Sequence, residues 1–343
     1  MSKNELNSAL RQYVQKNLSP TESERRFVTK VYEALKDVLG DDACLQIGSY
    51  PRFTAITPLH DLDVLYRIGR WPGYVPSPAG TLSELKTKIE RGFKNPTSLT
   101  LGVELQTHSI TISFLEGDEI RFSIDVVPSY TLGVNEFKQD TYMVPELIAR
   151  RHAARKSLYD ELGRAGGAMN WIPSDPRGYI EIAKLVNGAN ADFRKAAKFV
   201  KAWKWACKEQ DEEFKLKSFH LEQVLTQEFR DNVNLEIFDA LVQFFRRLPS
   251  IIARPQILDR ANNGKYIDDY VEALTQEQRQ AIIEAGGLFL QKLTALTADA
   301  DISSLFDETV KLAKKSRATY VPAKVASREK TFTPRSPWAH WNE

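Results

Sequence analysis

Between Leu45 and Arg67 the chain carries the pattern that most restricts its fold. A short apolar run ending at Ile47 gives way to Gly48-Ser49, and after eleven further residues Asp61-Leu62-Asp63-Val64-Leu65 opens a strand-like run. Side chains alternate along a strand, so Asp61 and Asp63 share one face while Leu62 and Val64 turn to the other. Two carboxylates so close repel each other, an arrangement that costs stability unless a cation lies between them. Hard divalent cations such as Mg²⁺ take oxygen ligands, commonly one or two carboxylates together with the phosphates of a substrate. A Gly-Ser turn just ahead of the strand offers backbone N–H groups and a hydroxyl to a phosphate tail. The stretch predicts a sheet with an acidic face suited to nucleotidyl transfer.

A third carboxylate follows from a hairpin. Thr107 to Leu115 alternates with Ile110, Ile112 and Phe114 on one face, Glu116 to Glu119 is a turn, and Ile120 to Val127 returns as the second strand. In that strand Ile120, Phe122, Ile124 and Val126 alternate with Arg121, Ser123 and Asp125, which sets Asp125 opposite the apolar face. Two-metal phosphoryl transfer places one cation at the attacking hydroxyl and another at the leaving group, about 3.5–4 Å apart, so a bridging carboxylate needs neighbours. Asp125 is also a candidate to take the proton of the 3′-hydroxyl. Alone it reads equally as a solvent-facing strand residue; beside the Gly-Ser turn and the Asp-Leu-Asp run it reads as part of a site. His60, on the opposite face from Asp61, reads as structural.

The chain of 343 residues is long enough for two lobes, and its 42% hydrophobic content with mixed charge is that of a globular protein. A net charge of +2 argues against coating long nucleic acid. Cys44 and Cys207 form neither a metal spacing nor a disulfide framework, which suits a reducing cytosol. Met1 to Leu6 lacks an apolar signal core and no apolar run reaches membrane-spanning length, so a soluble, cytoplasmic protein is expected.

Residues 5–40 read as helical, with Ser19-Pro20-Thr21-Glu22 as a capping-box start and Gly40 as the stop. Leu45 to Ile47 reads as a buried strand and Asp61 to Ile68 as the next. Gly69 to Gly80 reads as a loop, and Thr81 to about Phe93 as a capped helix. From Pro128 to Pro176 the pattern loosens into a crossover, with a basic patch at Arg150, Arg151, His152, Arg155 and Lys156 that reads as a solvated face. Beyond it the chain is mostly helical. Asp192 to Lys208 turns Phe193, Ala197, Val200, Trp203 and Ala206 toward a core, with Arg194, Lys198 and Lys201 on a neighbouring stripe where cations could meet a triphosphate. The next helix starts at Lys217 to Glu222 with Ser218 as its N-cap. Helices follow at about 234–248, 275–295 and 303–316, with a turn-rich connection from Ile257 to Gly264. From Lys314 the chain is basic and ends in a tail carrying Trp338 and Trp341. The expected division is a catalytic lobe over 1–160, including the long N-terminal helix, a helical lobe over 161–320 and a tail over 321–343.

Gly48-Ser49, Asp61-x-Asp63 and the later Asp125 resemble the signature of the polymerase-β-like nucleotidyltransferase superfamily. Phe199-Val200-Lys201-Ala202-Trp203-Lys204, followed by Lys217 to Glu222, resembles the helical lobe shared by oligoadenylate synthetases, cGAS and bacterial CD-NTases. Asp259 to Asn263 looks like the Asp-Pro-x-x-Asn stretch of those enzymes, although Arg260 stands where a proline is common. Over roughly residues 20–320 the chain resembles a bacterial CD-NTase of the CBASS anti-phage systems. The resemblance implies an α+β fold, with a nucleotidyltransferase core sheet, flanking helices and an oligoadenylate-synthetase-like helical lobe. It also implies synthesis of a cyclic di- or trinucleotide from NTPs, read by a downstream effector, with a CBASS accessory protein as a possible partner. Neither a membrane nor a stable nucleic-acid partner is expected. Gly48 and Ser49 would hold the β- and γ-phosphates, Asp61 and Asp63 two Mg²⁺ ions (with Mn²⁺ as a substitute), and Asp125 the activating ion. Lys201 and Ser218 would contact the donor triphosphate. Phe219 would stack on a base, though it reads equally as core. No Cys or His cluster marks a zinc insertion of the cGAS kind.

Two alternatives remain. An RNA-primed transferase, resembling CCA-adding enzymes or poly(A) polymerases, would need a broad basic surface, which the net charge of +2 speaks against. A catalytically silent nucleotide-binding relative would show erosion at the aspartates or the Gly-Ser turn, and neither is eroded.

Overall fold

The computed structural model describes residues 2–106, 108–147, 169–261, 264–297 and 301–309. Two compact units emerge. One comprises Pro20–Lys184 with Arg260–Asn263; the other comprises Met1–Ser19, Leu185–Asp259 and Gly264–Glu343. The chain passes between the units after Lys184, and the first nineteen residues cluster with the helical unit.

The N-terminal stretch expected as one helix forms two, α1 (Lys3–Tyr13), continued by a wider turn at Val14–Leu18, and α2 (Glu22–Leu39). Pro20 is the cause. It has no N–H to donate and it disfavours helical backbone in the residue before it, and Ser19 is extended at φ −92°, ψ 139°. The cap of α2 is accordingly Thr21, whose side chain accepts from the Glu24 N–H in a capping box, and not Ser19 with Glu22. Glu24 is fully buried and has a second role. Its Oε2 accepts from Thr21 N (2.6 Å) and Thr21 Oγ1 (2.9 Å), while its Oε1 accepts from Thr57 Oγ1 (2.9 Å) and Leu59 N (2.8 Å). One carboxylate thus ties the start of α2 to the chain that enters the Asp61 strand.

The sheet contains β1 (Cys44–Ile47), β2 (Asp61–Arg70), β3 (Thr100–Leu105), β4 (Ile110–Glu116), β5 (Glu119–Val134), β6 (Asp140–Leu147) and β7 (Met169–Ser174). Its order is β1-β2-β5-β4-β3, with β6 on the far end of β5 and β7 on β6. Only β2 and β5 run parallel. The expected crossover from Pro128 to Pro176 instead holds the end of β5, β6 and β7. Pro128, Pro145 and Pro173 lie inside these strands, and proline ordinarily argues against a central strand, which conceals them in the sequence. Helix α3 (Pro78–Gly92) starts earlier than Thr81, capped by Ser77, whose hydroxyl accepts from Gly80 N. Arg150 to Lys156 lies outside the described residues, as does the tail from residue 310.

One face of the sheet is apolar. Leu62, Val64, Ile110, Ile112, Phe114, Phe122, Ile124 and Val126 are all buried, and Phe27 of α2 meets Phe114 and Phe122 edge-on at 5.8 and 5.2 Å. Full burial of a large apolar side chain contributes about 1.5–3 kcal/mol. This row fixes which residues face the other way.

Beyond the sheet come α4 (Pro176–Ala189), α5 (Phe193–Gln210), α6 (Ser218–Asp231), α7 (Ile237–Ile251) and α8 (Gln276–Thr294), with a tight helical turn at Ile302–Phe306; the helix expected at about 303–316 lies outside the described residues from 310 on. Phe193, Ala197, Val200, Trp203 and Ala206 are buried, as their spacing on α5 predicts. Trp203 meets Phe214, Phe245 and Phe289 at ring distances of 5.7, 4.9 and 6.4 Å. Buried Asp192 accepts from Arg11 Nη2 (2.6 Å) and Ile237 N (3.1 Å), which fastens α1 and the start of α7 to α5. Burial opposes its charge, but Arg11 and Lys195 hold its carboxyl below the ordinary value. Among the described residues no helix is long and apolar enough to cross a membrane.

Candidate functional site

The strand register assembles the acidic face. Asp63 of β2 is the direct lateral partner of Asp125 on parallel β5, and Asp61 pairs with Ser123 one step along. Neighbouring strands lie about 4.8 Å apart, so Asp63 and Asp125 are adjacent on one face with Asp61 two residues away on the same side. Asp61 is exposed, and Asp63 and Asp125 are half-buried. On the far side of Asp125, Thr111 of β4 is its register partner and its hydroxyl donates to Asp125 Oδ1 at 2.5 Å. This contact was not expected from the sequence.

Gly48 follows Ile47, which pairs with Asp63. Its φ is +74°, in the region that favours glycine, and a Cβ placed there would lie 1.8 Å from Asp63 Oδ2. The turn therefore needs glycine for its backbone and for the space that the Asp63 carboxylate occupies. Ser49 is half-buried, and its carbonyl accepts from Thr54 N at 3.1 Å, closing the turn onto a fully buried threonine. At the other end of the loop the His60 carbonyl accepts from Ser123 N at 2.9 Å. Burial lowers the pKa of the His60 imidazole, against the opposing pull of Asp61 and Glu24.

Among the described residues no group of three or more His, Cys, Asp or Glu side chains closes into a metal cluster. The register puts the three carboxylates on one face, Asp63 directly beside Asp125. The donor set is all oxygen, half-exposed, and beside a turn that makes room for one of its carboxylates. That chemistry fits Mg²⁺.

Lys201, Ser218 and Phe219 belong to the helical unit. Lys201 is buried and its Nζ lies 2.5 Å from Glu222 Oε2, itself fully buried. On the same helix Lys198 Nζ donates to Ser19 Oγ at 2.9 Å, and burial lowers the pKa of the Arg194 guanidinium. Ser218 is the first residue of α6 and not its cap. Lys217 holds the cap position, and its N–H donates to Tyr270 Oη at 3.1 Å. Ser218 and Phe219 are half-buried.

The chain shares its fold with solved structures of bacterial CD-NTases. No protein-family model and no curated protein sequence matches it. Solved structures do. The CdnC:HORMA complex of Escherichia coli MS115-1 is 20% identical with a TM-score of 0.61, covering 89% of this chain and 96% of that one. CdnG, the CD-NTase of Bradyrhizobium diazoefficiens solved with GTP, is 14% identical with a TM-score of 0.59, covering 91% and 98%. DncV of Vibrio cholerae, a cyclic AMP-GMP synthase, is 16% identical with a TM-score of 0.52, covering 94% and 88%.

Proposed function

We propose that the protein is a nucleotidyltransferase that joins NTPs, with release of pyrophosphate, into a cyclic di- or trinucleotide second messenger for anti-phage signalling of the CBASS kind. The observation that carries this reading is the pairing of Asp63 with Asp125 in register, against a glycine turn whose missing Cβ leaves room for the Asp63 carboxylate. The fold shared with a cyclic AMP-GMP synthase supports the class of product.

Gly48 and Ser49 hold the β- and γ-phosphates of the donor through the turn's backbone and hydroxyl. Asp61, Asp63 and Asp125 are the residues that would hold two Mg²⁺ ions. When bound, such ions stabilise the attacking oxygen and the charge on the leaving pyrophosphate. A ribose hydroxyl oxygen bonds to the α-phosphorus, the bond to the α–β bridging oxygen breaks, and pyrophosphate departs. Asp125, oriented by Thr111, takes the hydroxyl proton. Lys201 and Ser218 are assigned to the donor triphosphate and Phe219 to a base. An effector reads the product. An accessory protein is a candidate partner, as CdnC is solved in complex with a HORMA protein.

Pyrophosphate release from the four NTPs with Mg²⁺ or Mn²⁺ tests the site. Asp63→Asn and Asp125→Asn should each abolish it while the fold is retained. Release at the wild-type rate in both variants would refute the assignment.

A further inference from the structure

The strand register extends the acidic row past Asp125. Asp63 of β2 pairs with Asp125 of β5, Asp125 with Thr111 of β4, and Thr111 with Glu104 of β3. Lateral partners project from the same face of a sheet. Glu104 therefore stands on the face that carries the aspartates, two strand spacings, or roughly 10 Å, beyond Asp125. The rest of β3 agrees, because Leu101, Val103 and Leu105 pair with Phe114, Ile112 and Ile110 of the apolar face. Glu104 is exposed, and among the described residues its carboxylate takes part in no hydrogen bond or ion pair. The neighbouring row on this face starts at Asp61 and continues through Ser123 and Ser113 to Gly102. Those last three residues are small, which leaves a low shelf beside Thr111 and Glu104.

The reaction gives this shelf a direction. In phosphoryl transfer the attacking and leaving oxygens lie roughly in line, on either side of the phosphorus. The leaving pyrophosphate is assigned to the Gly48-Ser49 turn on the β1 side of Asp63, and the attacking hydroxyl to Asp125 on the next strand. The line from one to the other crosses the strands and runs on over Thr111 to Glu104. The nucleoside that bears the attacking hydroxyl thus extends toward β4 and β3.

We propose that Glu104 is a specificity-determining residue for the acceptor nucleotide, its two carboxylate oxygens taking the N1–H and N2–H of a guanine base. The inference rests on the proposed function and names an acceptor base for it. An ionised carboxylate only accepts hydrogen bonds, and it does so best from two parallel donors. Guanine sets two such donors side by side on neighbouring nitrogens. Adenine, cytosine and uracil each offer one, next to an acceptor that a carboxylate repels.

The test supplies full-length protein with Mg²⁺, ATP as donor and the α,β-methylene analogues of GTP and ITP as acceptors that cannot themselves donate. Inosine keeps N1–H and lacks the 2-amino group. Mass spectrometry follows the dinucleotides formed. The wild type should use the guanine analogue roughly five- to a hundredfold better in kcat/KM, the span of one bidentate base contact. Glu104→Gln should melt with the wild type, since the side chain is exposed. It should bring the two analogues to about equal use through a higher KM for the guanine analogue, with KM for donor ATP unchanged. Equal use by the wild type, an unchanged preference in folded Glu104→Gln, or ATP joined only to itself would overturn the role of Glu104 and leave the proposed function standing. If the wild-type protein joins no nucleotide at all, the proposed function fails and this inference falls with it.

Discussion

Replacing Gly48 with alanine perturbs the site at one atom. The new Cβ would lie 1.8 Å from Asp63 Oδ2, where contacts of about 3.4 Å or more are ordinary, and the residue would also be held at φ +74°. The backbone term for an L-residue in the left-handed region is about 1–2 kcal/mol. The clash is relieved by moving the Asp63 carboxylate, which the register otherwise keeps beside Asp125. Displacement of a catalytic group by about 1 Å costs on the order of a hundredfold in rate. Gly48→Ala should therefore lose about 1–2 kcal/mol of stability in urea denaturation, and its pyrophosphate release should fall a hundredfold or more in kcat. Retention of activity within about threefold would show that Asp63 and the turn do not form one site.

Three other perturbations follow from the same structure. Thr111→Val removes the hydroxyl that orients Asp125, so kcat should drop about tenfold with KM for nucleotide unchanged and Thr111→Ser should restore it; the two constants measured separately decide this. Glu24→Ala removes the carboxylate half of the α2 capping box, leaving Thr21 N and Leu59 N without their acceptor, for a loss of about 2–4 kcal/mol by chemical denaturation. Glu228 is buried with Oε2 meeting no donor among the described residues, and burial pushes its carboxyl from 4.5 up to about 7 against the pull of Arg247. A raised folded-state pKa gives stability that is fully present below about 4.5 and lost as pH rises toward 7, here up to about 3 kcal/mol. Glu228→Gln should flatten that slope in denaturation curves between pH 4 and 8.

The acidic face was legible because strand alternation has a period of two. Once Leu62, Val64, Ile124 and Val126 are taken as core, Asp61, Asp63 and Asp125 must face the other way, as they do. Thr111 was not legible. Counting back from the Glu116–Glu119 pair at the turn puts Ile110 opposite Asp125, but a bulge between Phe114 and Leu115 shifts the register by one and brings Thr111 there. Strands β6 and β7 were hidden by their prolines, and the helical-unit membership of α1 by contacts far apart in sequence, such as Arg11 with Asp192. Gly48 read correctly as a turn residue. That its bare Cα also accommodates Asp63 is a tertiary fact with no local signal.

The most direct test of the account is chromatography and mass spectrometry of the product formed from all four NTPs with Mg²⁺ or Mn²⁺ after phosphatase treatment. The account predicts a small, phosphatase-resistant cyclic nucleotide, lost in Asp61→Asn and Asp63→Asn proteins. Linear products alone, or label transferred to added RNA, would contradict it.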